Sequence, residues 1–396
     1  MDVARLEDFN FNNKRVLVRT DYNVPVDEEG NITDSKRIED SLETIRYLLE
    51  NGSAKIIIVT HIGRPKEHEE KLKTDNVAKK LSELIGMEVK KIDDWGENGL
   101  PEERIVILEN ARFNSKEKSK DEAERDEFAQ IMCQRADLFV MEAFSNMHRG
   151  KQASMTSTMK FLPACMGRAC QKEIETIQRA IDNPQRPFVS IIGGAKADKL
   201  GSVDNIMQNA DKVLLGGALA FTVLHAKGFN MGKSKIDHEN LENYNEVFEK
   251  IKDNDKIMLP EDAVVADEFS DSAESKTVPV DKVEDNWMAL DLGEKTIEKY
   301  KKELMGAKTI CWNGPLGVFE FEKFAIATKE IAQAISETDA FSIIGGGDSA
   351  AAINELGFSD KVSFVSSGGG ASLMMFEGKE LPVLKAMKEN YSKFTA

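Results

Sequence analysis

Two apolar runs near the end of the chain each break into three glycines and then into small residues. Phe341-Ser342-Ile343-Ile344 leads into Gly345-Gly346-Gly347-Asp348-Ser349, and the run over 362–365 leads into Gly368-Gly369-Gly370-Ala371-Ser372. A buried strand that ends in glycines lets a ligand approach the backbone closely. The helix that follows aims unpaired N–H groups and a positive dipole end at an anion, most often phosphate. Asp348 at such a helix start repels a bare phosphate, and a hard cation between the two removes the conflict. Mg²⁺ takes one or two protein carboxylates together with phosphate oxygens. The stretch therefore predicts a Mg-nucleotide site that includes Gly346, Gly347, Asp348 and Ser349, with Asp348 on the metal. The alternative is that Asp348 or Ser349 merely caps a helix.

Two other phosphate fingerprints fail. Gly345 to Ala350 fits the loose dinucleotide pattern, but that pattern wants an acid about 20 residues on, and Ser366-Ser367 stand there. Gly228 and Gly232 before Lys233-Ser234 imitate a P-loop with three intervening residues, where the motif needs four.

The first half alternates strand and helix. Strands are predicted over 14–20, 55–60, 104–108 and 137–141, with helices over 34–50, 74–85 and 121–135. Alternation of this kind gives a parallel sheet covered on both faces, and ligands bind outside the carboxyl ends of its strands. Polar groups gather at those ends. The first strand delivers Arg19, Asp21 and Asn23; the second His61 and Arg64; the third Arg112; the fourth His148 and Arg149. Arg37, early in the first helix, is expected at the same crevice. Arginine suits bidentate phosphate and carboxylate binding, so this half reads as a site for a small, multiply charged anion.

A long helical pattern over 168–181 is taken as the joint between two lobes. A second strand series follows over 188–192, 212–215, 309–312, 341–344 and 362–365, and every member runs into glycine. Some of these glycines can serve tight packing alone; for Gly216-Gly217 packing and ligand contact are equally good readings. Lys196, Lys199 and Asp348 beside such junctions favour a nucleotide platform. One lobe for a small anion and one for a Mg-nucleotide suggest phosphoryl transfer across a closing cleft that expels water.

Composition agrees. A length of 396 residues suggests two or three domains, with ample core. A net charge of −16 argues against a nucleic-acid binder. Four cysteines without C-x-x-C spacing read as reduced thiols. No signal region or membrane-length apolar run is visible, so a cytoplasmic chain with no membrane partner is expected.

The chain resembles the phosphoglycerate kinase family over essentially its whole length. The resemblance rests on Arg19-Thr20-Asp21-Tyr22-Asn23-Val24-Pro25, His61-Ile62-Gly63-Arg64-Pro65, Leu108-Glu109-Asn110-Ala111-Arg112-Phe113, Gly193-Gly194-Ala195-Lys196, Asn313-Gly314-Pro315-Leu316-Gly317-Val318-Phe319-Glu320, and both triple-glycine units. It implies an α/β fold of two doubly wound parallel-sheet lobes joined by a helix, with a C-terminal segment returning to the first lobe. The expected boundaries are 1–168 completed by about 381–396, the helix over 169–185, and 186–380.

It also implies a monomeric glycolytic enzyme that interconverts 3-phosphoglycerate and MgATP with 1,3-bisphosphoglycerate and MgADP. Asp21, Asn23, Arg37, His61, Arg64, Arg112 and Arg149 are implied to hold phosphoglycerate. Lys199, Asn313, Glu320, Gly346, Gly347, Asp348 and Ser349 are implied to hold nucleotide, with Glu320 on the ribose and Asp348 on Mg²⁺. Arg37, Lys196, Lys199 and the helix start at Gly368, Gly369 and Gly370 are implied to face the moving phosphoryl group.

The chain departs from the family pattern in three places. Lys196 and Lys199 stand one residue closer than usual, Glu142 replaces an aspartate, and the loop around His148 to Gln152 is one residue longer. Two other functions compete: a nicotinamide-dependent oxidoreductase, opposed by the missing acid, and a non-catalytic phosphate-ligand binding protein of the same fold.

Overall fold

Short runs of Val, Ile and Leu such as Val16-Leu17-Val18 and Ile56-Ile57-Ile58 are apolar on both faces, which is the signature of strands buried in a parallel sheet. The computed structural model describes residues 3–194, 206–242, 244, 249 and 255–395. The chain forms two compact units, Met1–Ile174 with Glu380–Ala396, and Glu175–Lys379.

The first unit contains β1 (Arg15–Thr20), α1 (Lys36–Asp40), α2 (Leu42–Glu50), β2 (Lys55–Val59), α3 (Asp75–Ile85), β3 (Val89–Lys91), β4 (Ile105–Ile107), α4 (Glu122–Cys133), β5 (Leu138–Glu142) and β6 (Ala164–Met166). Its six strands pair in the order β3-β4-β2-β1-β5-β6, all parallel, with Val18 opposite both Ile58 and Val140. Val16, Val18, Ile45, Ile56, Ile58, Leu81 and Val140 are buried in one core. Helix α5 (Arg168–Asp182) then carries the chain across the boundary between the units.

The second unit contains β7 (Phe188–Ile192), β8 (Lys212–Leu215), α6 (Gly217–Ala226), β9 (Ile257–Met258), β10 (Asp262–Ala266), β11 (Ser275–Pro279), β12 (Met288–Leu292), α7 (Glu294–Met305), β13 (Thr309–Asn313), α8 (Ile326–Ser336), β14 (Phe341–Gly345), α9 (Gly347–Glu355), β15 (Phe364–Val365) and α10 (Gly370–Phe376). Its main sheet has the order β15-β14-β13-β7-β8-β9 and is parallel throughout. Trp312, Phe221, Ile191, Leu214 and Ile344 lie in its core. The expected α/β fold of two parallel-sheet lobes is observed.

Three details differ from expectation. The helix expected over 34–50 is two helices. Ser41 interrupts it, its hydroxyl donating to Ile38 O at 2.8 Å while it pairs with the Tyr22 hydroxyl at 2.7 Å. The strand expected over 362–365 is only Phe364–Val365. Ahead of it Ser342 and Ser363 bond reciprocally, backbone N–H to hydroxyl, at 3.1 and 3.0 Å in place of a backbone ladder. A small antiparallel sheet, β11-β10-β12, was not anticipated; β11 alternates between exposed and half-buried positions and carries no apolar run.

Helix α11 (Pro382–Thr395) returns to the first unit. Buried Asn390 fixes it: its Oδ1 accepts from Ala164 N–H at 2.8 Å, and its Nδ2 donates to Met159 O at 2.6 Å and Leu162 O at 2.8 Å. Among the described residues, no helix is long and apolar enough to cross a membrane. Asn390→Ala orphans three buried backbone groups and is expected to lower the unfolding free energy of the first unit by about 2–4 kcal/mol, read by urea titration of the intact chain.

Candidate active site

In the first sheet the chain adds strands on one side of β1, then restarts on the other side with β5 and β6; in the second, β7 and β13 are the corresponding neighbours. A ligand crevice belongs outside the carboxyl ends of such a pair. In the first unit Arg19 and Asp21 lie at the end of β1; in the second Asn313 ends β13, while Gly346 to Ser349 follow β14 and Gly368 to Gly370 follow β15.

At the end of β1, Arg19 is fully buried. Its Nε donates to Ser154 Oγ at 2.8 Å, another nitrogen donates to Thr20 O, and Nη2 lies 3.1 Å from His61 Nδ1. A guanidinium can only donate, so Nδ1 accepts and the His61 proton sits on Nε2. Burial, then the charges of Arg19, Arg112, Arg149 and Lys118, hold His61 well below the usual histidine range. His61 is therefore a neutral donor. Asp21 accepts from Arg37 and from the Ser145 hydroxyl. Asn23 Oδ1 accepts from Gly63 N–H at 2.7 Å. Gly63 has φ 64°, the left-handed conformation that favours glycine.

Arg112 donates from Nη1 to Gly63 O, while its Nη2 is buried without a partner. Burial and the neighbouring charges of Arg149 and Arg19 push Arg112 down to about 10. Arg149 is lowered by burial and by Arg64, and Lys118 by burial, Arg112 and Arg149. Arg149 Nε donates to His148 Nε2 at 3.1 Å; Arg64 is exposed. Burial and neighbouring cations thus disfavour the charge of Arg19, Arg112, Lys118 and Arg149 near one buried acid, Glu117, which accepts from Ser154 N–H at 2.9 Å and Ser154 Oγ at 2.7 Å. The structure brings together Asp21, Asn23, Arg37, His61, Arg64, Arg112 and Arg149. Sequence reasoning missed Glu117, Lys118, Ser145 and Ser154. They lie on short irregular segments where no periodicity or motif singles them out.

In the second unit several glycines prove to be packing devices. A Cβ on Gly193 would lie 2.2 Å from Pro315 O, one on Gly216 would lie 2.3 Å from Leu316 Cδ2, and one on Gly217 would lie 2.7 Å from Gly194 N. The loop after β13 closes on these glycines through Gly194 N–H to Pro315 O at 2.8 Å and Gly217 N–H to Leu316 O at 2.9 Å. The glycines at the start of α9 are different. Gly346 has φ 88°, and a Cβ there would meet Asn313 Oδ1 at 2.9 Å; Gly347 is exposed with open space around it. Asp348 is exposed in the first turn of α9, makes no cap bond, and has no ion pair among the described residues.

Asn313, whose Oδ1 faces Gly346, also keeps a buried amide nitrogen without a partner. A free carboxylate on a helix start beside a spare buried donor fits a hard cation with phosphate oxygens. Ser349 is buried and its Oγ accepts from Gly314 N–H at 2.6 Å, holding the loop to the helix. Glu320 is exposed in the turn beyond. Gly368 is buried and donates to Ser366 Oγ at 3.1 Å; Gly369 has φ 49°, and Gly370 opens the seven-residue α10. Lys196 and Lys199 lie outside the described residues.

The fold is that of a two-unit α/β protein with a parallel sheet in each unit. The phosphoglycerate kinase family model matches residues 6–379. A phosphoglycerate kinase of Finegoldia magna is 44% identical over 98% of this chain and 100% of its own, and one of Dictyoglomus turgidum is 43% identical over 98% of each. The solved phosphoglycerate kinase of Coxiella burnetii superposes with TM-score 0.88 at 37% identity, covering 98% of this chain and 99% of its own. That of Pyrococcus horikoshii superposes with TM-score 0.83 at 36% identity, covering 99% of this chain and 100% of its own. The chain belongs to the phosphoglycerate kinase family.

A buried acid in this unit predicts a pH dependence. Asp291 accepts from Leu292 N–H at 2.9 Å and Ala327 N–H at 3.0 Å, and burial pushes it up to about 7. Its unfolded value is near ~4, so the folded chain keeps a proton that the unfolded chain releases. Its contribution to stability is complete below about pH 4, shrinks as pH rises to about 7, and is constant above, a loss of about 3–4 kcal/mol. Asp291→Asn is expected to flatten that decline, whatever its absolute stability. Urea titrations between pH 4.5 and 8 measure it.

Proposed function

We propose that this chain catalyses reversible transfer of the γ-phosphoryl group of ATP to the carboxylate of 3-phosphoglycerate, giving 1,3-bisphosphoglycerate and ADP. The observation that carries the reading is the cation cluster of the first unit, where Arg112 keeps a buried unpartnered nitrogen and burial together with neighbouring cations lowers the pKa values of Arg19, Arg112, Lys118 and Arg149. Such a cluster is complete only when an anion sits among its members. Asp21, Asn23, Arg37, His61, Arg64, Arg112 and Arg149 are assigned to phosphoglycerate. The nucleotide is assigned to Asn313, Glu320, Gly346, Gly347, Asp348, Ser349 and Lys199.

The chemistry suits these residues. An oxygen of the substrate carboxylate forms a bond to the γ-phosphorus as the bond from that phosphorus to the β,γ-bridging oxygen breaks. With a reference pKa of about 4 the nucleophile is already ionised, so no general base is needed. His61 agrees with this, since its Nδ1 is occupied by Arg19 and its Nε2 carries the proton. What remains is to position the reactants and to neutralise charge on the moving group. Arg37, Lys196, Lys199 and the backbone at Gly368, Gly369 and Gly370 are assigned that role. Asp348 would hold Mg²⁺, which when bound neutralises nucleotide phosphate charge. We further assign the enzyme to the cytoplasm as a monomer.

Turnover of 3-phosphoglycerate with ATP, coupled to NADH oxidation through a downstream dehydrogenase and abolished by EDTA, is the expected result. Ligand binding without turnover would make this a non-catalytic binding protein. Arg37→Ala is expected to abolish turnover and leave ATP affinity intact; a matching loss of ATP affinity, measured by calorimetry, would remove Arg37 from the small-anion site. Asp348→Ala is expected to weaken MgATP by about tenfold or more, the loss of a charged contact, and metal-free ATP far less. Equal weakening would reduce Asp348 to a helix-start charge.

A further inference from the structure

Glu142 ends β5 with a buried carboxylate that has no ion pair among the described residues. Its Oε1 accepts from the Thr44 hydroxyl at 2.5 Å and from Ala169 N–H at 3.2 Å, and Oε2 accepts from Cys170 N–H at 3.4 Å. Thr44 Oγ1 in turn accepts from Arg168 N–H at 2.8 Å. The N–H groups of Arg168, Ala169 and Cys170 open α5 and have no partner within the helix. All three therefore end on Glu142 or on the hydroxyl bonded to it. The fit leaves no slack: a Cβ on Gly167 would lie 2.1 Å from Glu142 Oε2. Gly167 N–H meanwhile donates to Met141 O at 2.9 Å, so backbone and side chain of adjacent β5 residues both grip the start of α5.

The charge is held at a disadvantage. Burial pushes Glu142 up to about 7, against the hydrogen bonds it accepts from Thr44, Ala169 and Cys170. An apolar or amide side chain would avoid that penalty, so the arrangement calls for a reason other than stability. The reason lies one residue on. β5 is the neighbour of β1 at the switch point, with Thr20 opposite Glu142. The chain leaves β5 directly into the segment that carries Ser145, whose hydroxyl donates to Asp21, and Arg149, which lies among the cations of the anion site.

We propose that Glu142 is a positioning residue for the phosphoglycerate site. By fastening the last residue of β5 to the first turn of α5, it sets where the segment bearing Ser145 and Arg149 departs from the sheet. It touches no substrate atom and acts through that segment. This inference rests on the phosphoglycerate reading above. The carboxylate shape is needed because both oxygens receive a backbone N–H. Glutamine in either orientation turns an N–H toward Ala169 N–H or Cys170 N–H, breaking one bond and opposing two donors.

The test measures dissociation constants for 3-phosphoglycerate and for ATP by calorimetry in the intact wild-type, Glu142→Gln and Thr44→Val chains. Glu142→Gln is expected to weaken 3-phosphoglycerate by about tenfold, the worth of one well-placed hydrogen bond, and to leave ATP unchanged. Thr44→Val, which strips the acceptor from Arg168 N–H, is expected to shift the same constant in the same direction by less. If Glu142→Gln does not fold, Thr44→Val decides alone. Unchanged phosphoglycerate binding, or equal loss for both ligands, overturns the positioning role. Wild-type turnover is measured alongside: its absence would fell the phosphoglycerate kinase reading, whereas normal wild-type turnover with unmoved variants would fell only the role of Glu142.

Discussion

Parallel pairing of β1 with β5 and of β7 with β13 is the constraint on which both sites depend. A parallel sheet puts every strand's carboxyl end on one edge. At the place where strand addition changes side, the connections leave in opposite directions and open a crevice. The first unit fills that crevice from several strands, with Arg19 near the end of β1, Asp21 and Asn23 after it, and Arg149 beyond β5. The second fills it with backbone, because the glycines after β7 and before α6 let the loop after β13 lie directly against them. One topology therefore produces a crevice of side-chain charge in one unit and closely packed main chain in the other.

The two crevices balance charge differently. In the first, the cations outnumber the acids that face them, and the acids that are present hold cations in place. Glu117 is tied to Ser154, which supports Arg19, and Asp21 is tied to Arg37. Burial, and then the surplus positive charge, lowers the pKa values of His61, Arg112, Arg149 and Lys118, which is how a protein stores affinity for an anion at the expense of its own stability. In the second, the described residues contribute little cationic charge near α9, and the helix start carries an acid.

How much of this was legible in the sequence follows the range of each interaction. Strand-then-glycine junctions are local patterns, and the strands of both main sheets that carry them were readable. The switch-point residues were readable because they follow those strands immediately. Ser41 was not recognised as a helix break, because its hydrogen bond to Tyr22 joins residues 19 apart. Glu117 was missed because its partner Ser154 is 37 residues away. The purpose of a glycine was only half visible. Gly193, Gly216, Gly217 and Gly347 look alike in the sequence, yet the first three are forced by neighbouring backbone or side chain, and only the last faces open space.

Helix starts show the same long-range logic. Glu142 at the end of β5 receives the first amides of α5, Asp262 at the start of β10 receives Lys295 and Thr296 N–H in α7, and Asp291 in β12 receives Ala327 N–H in α8. In each case the carboxylate comes from a strand elsewhere in the chain, and a glycine stands where a Cβ would strike it: Gly167, Gly293 and Gly317, at 2.1 to 2.2 Å. An ordinary cap is supplied by the residue before the helix and fixes only that helix. A cap supplied by a strand fixes the angle between helix and sheet as well. It requires burying a carboxylate that only backbone amides and hydroxyls compensate, and Glu142 and Asp291 show the strain by rising to about 7. Gly317 lies within the loop from Asn313 to Glu320, and Glu142 leads into the segment that ends at Arg149. These two anchors therefore stand behind loops assigned to nucleotide and to phosphoglycerate, where accurate placement is worth more than the stability given up.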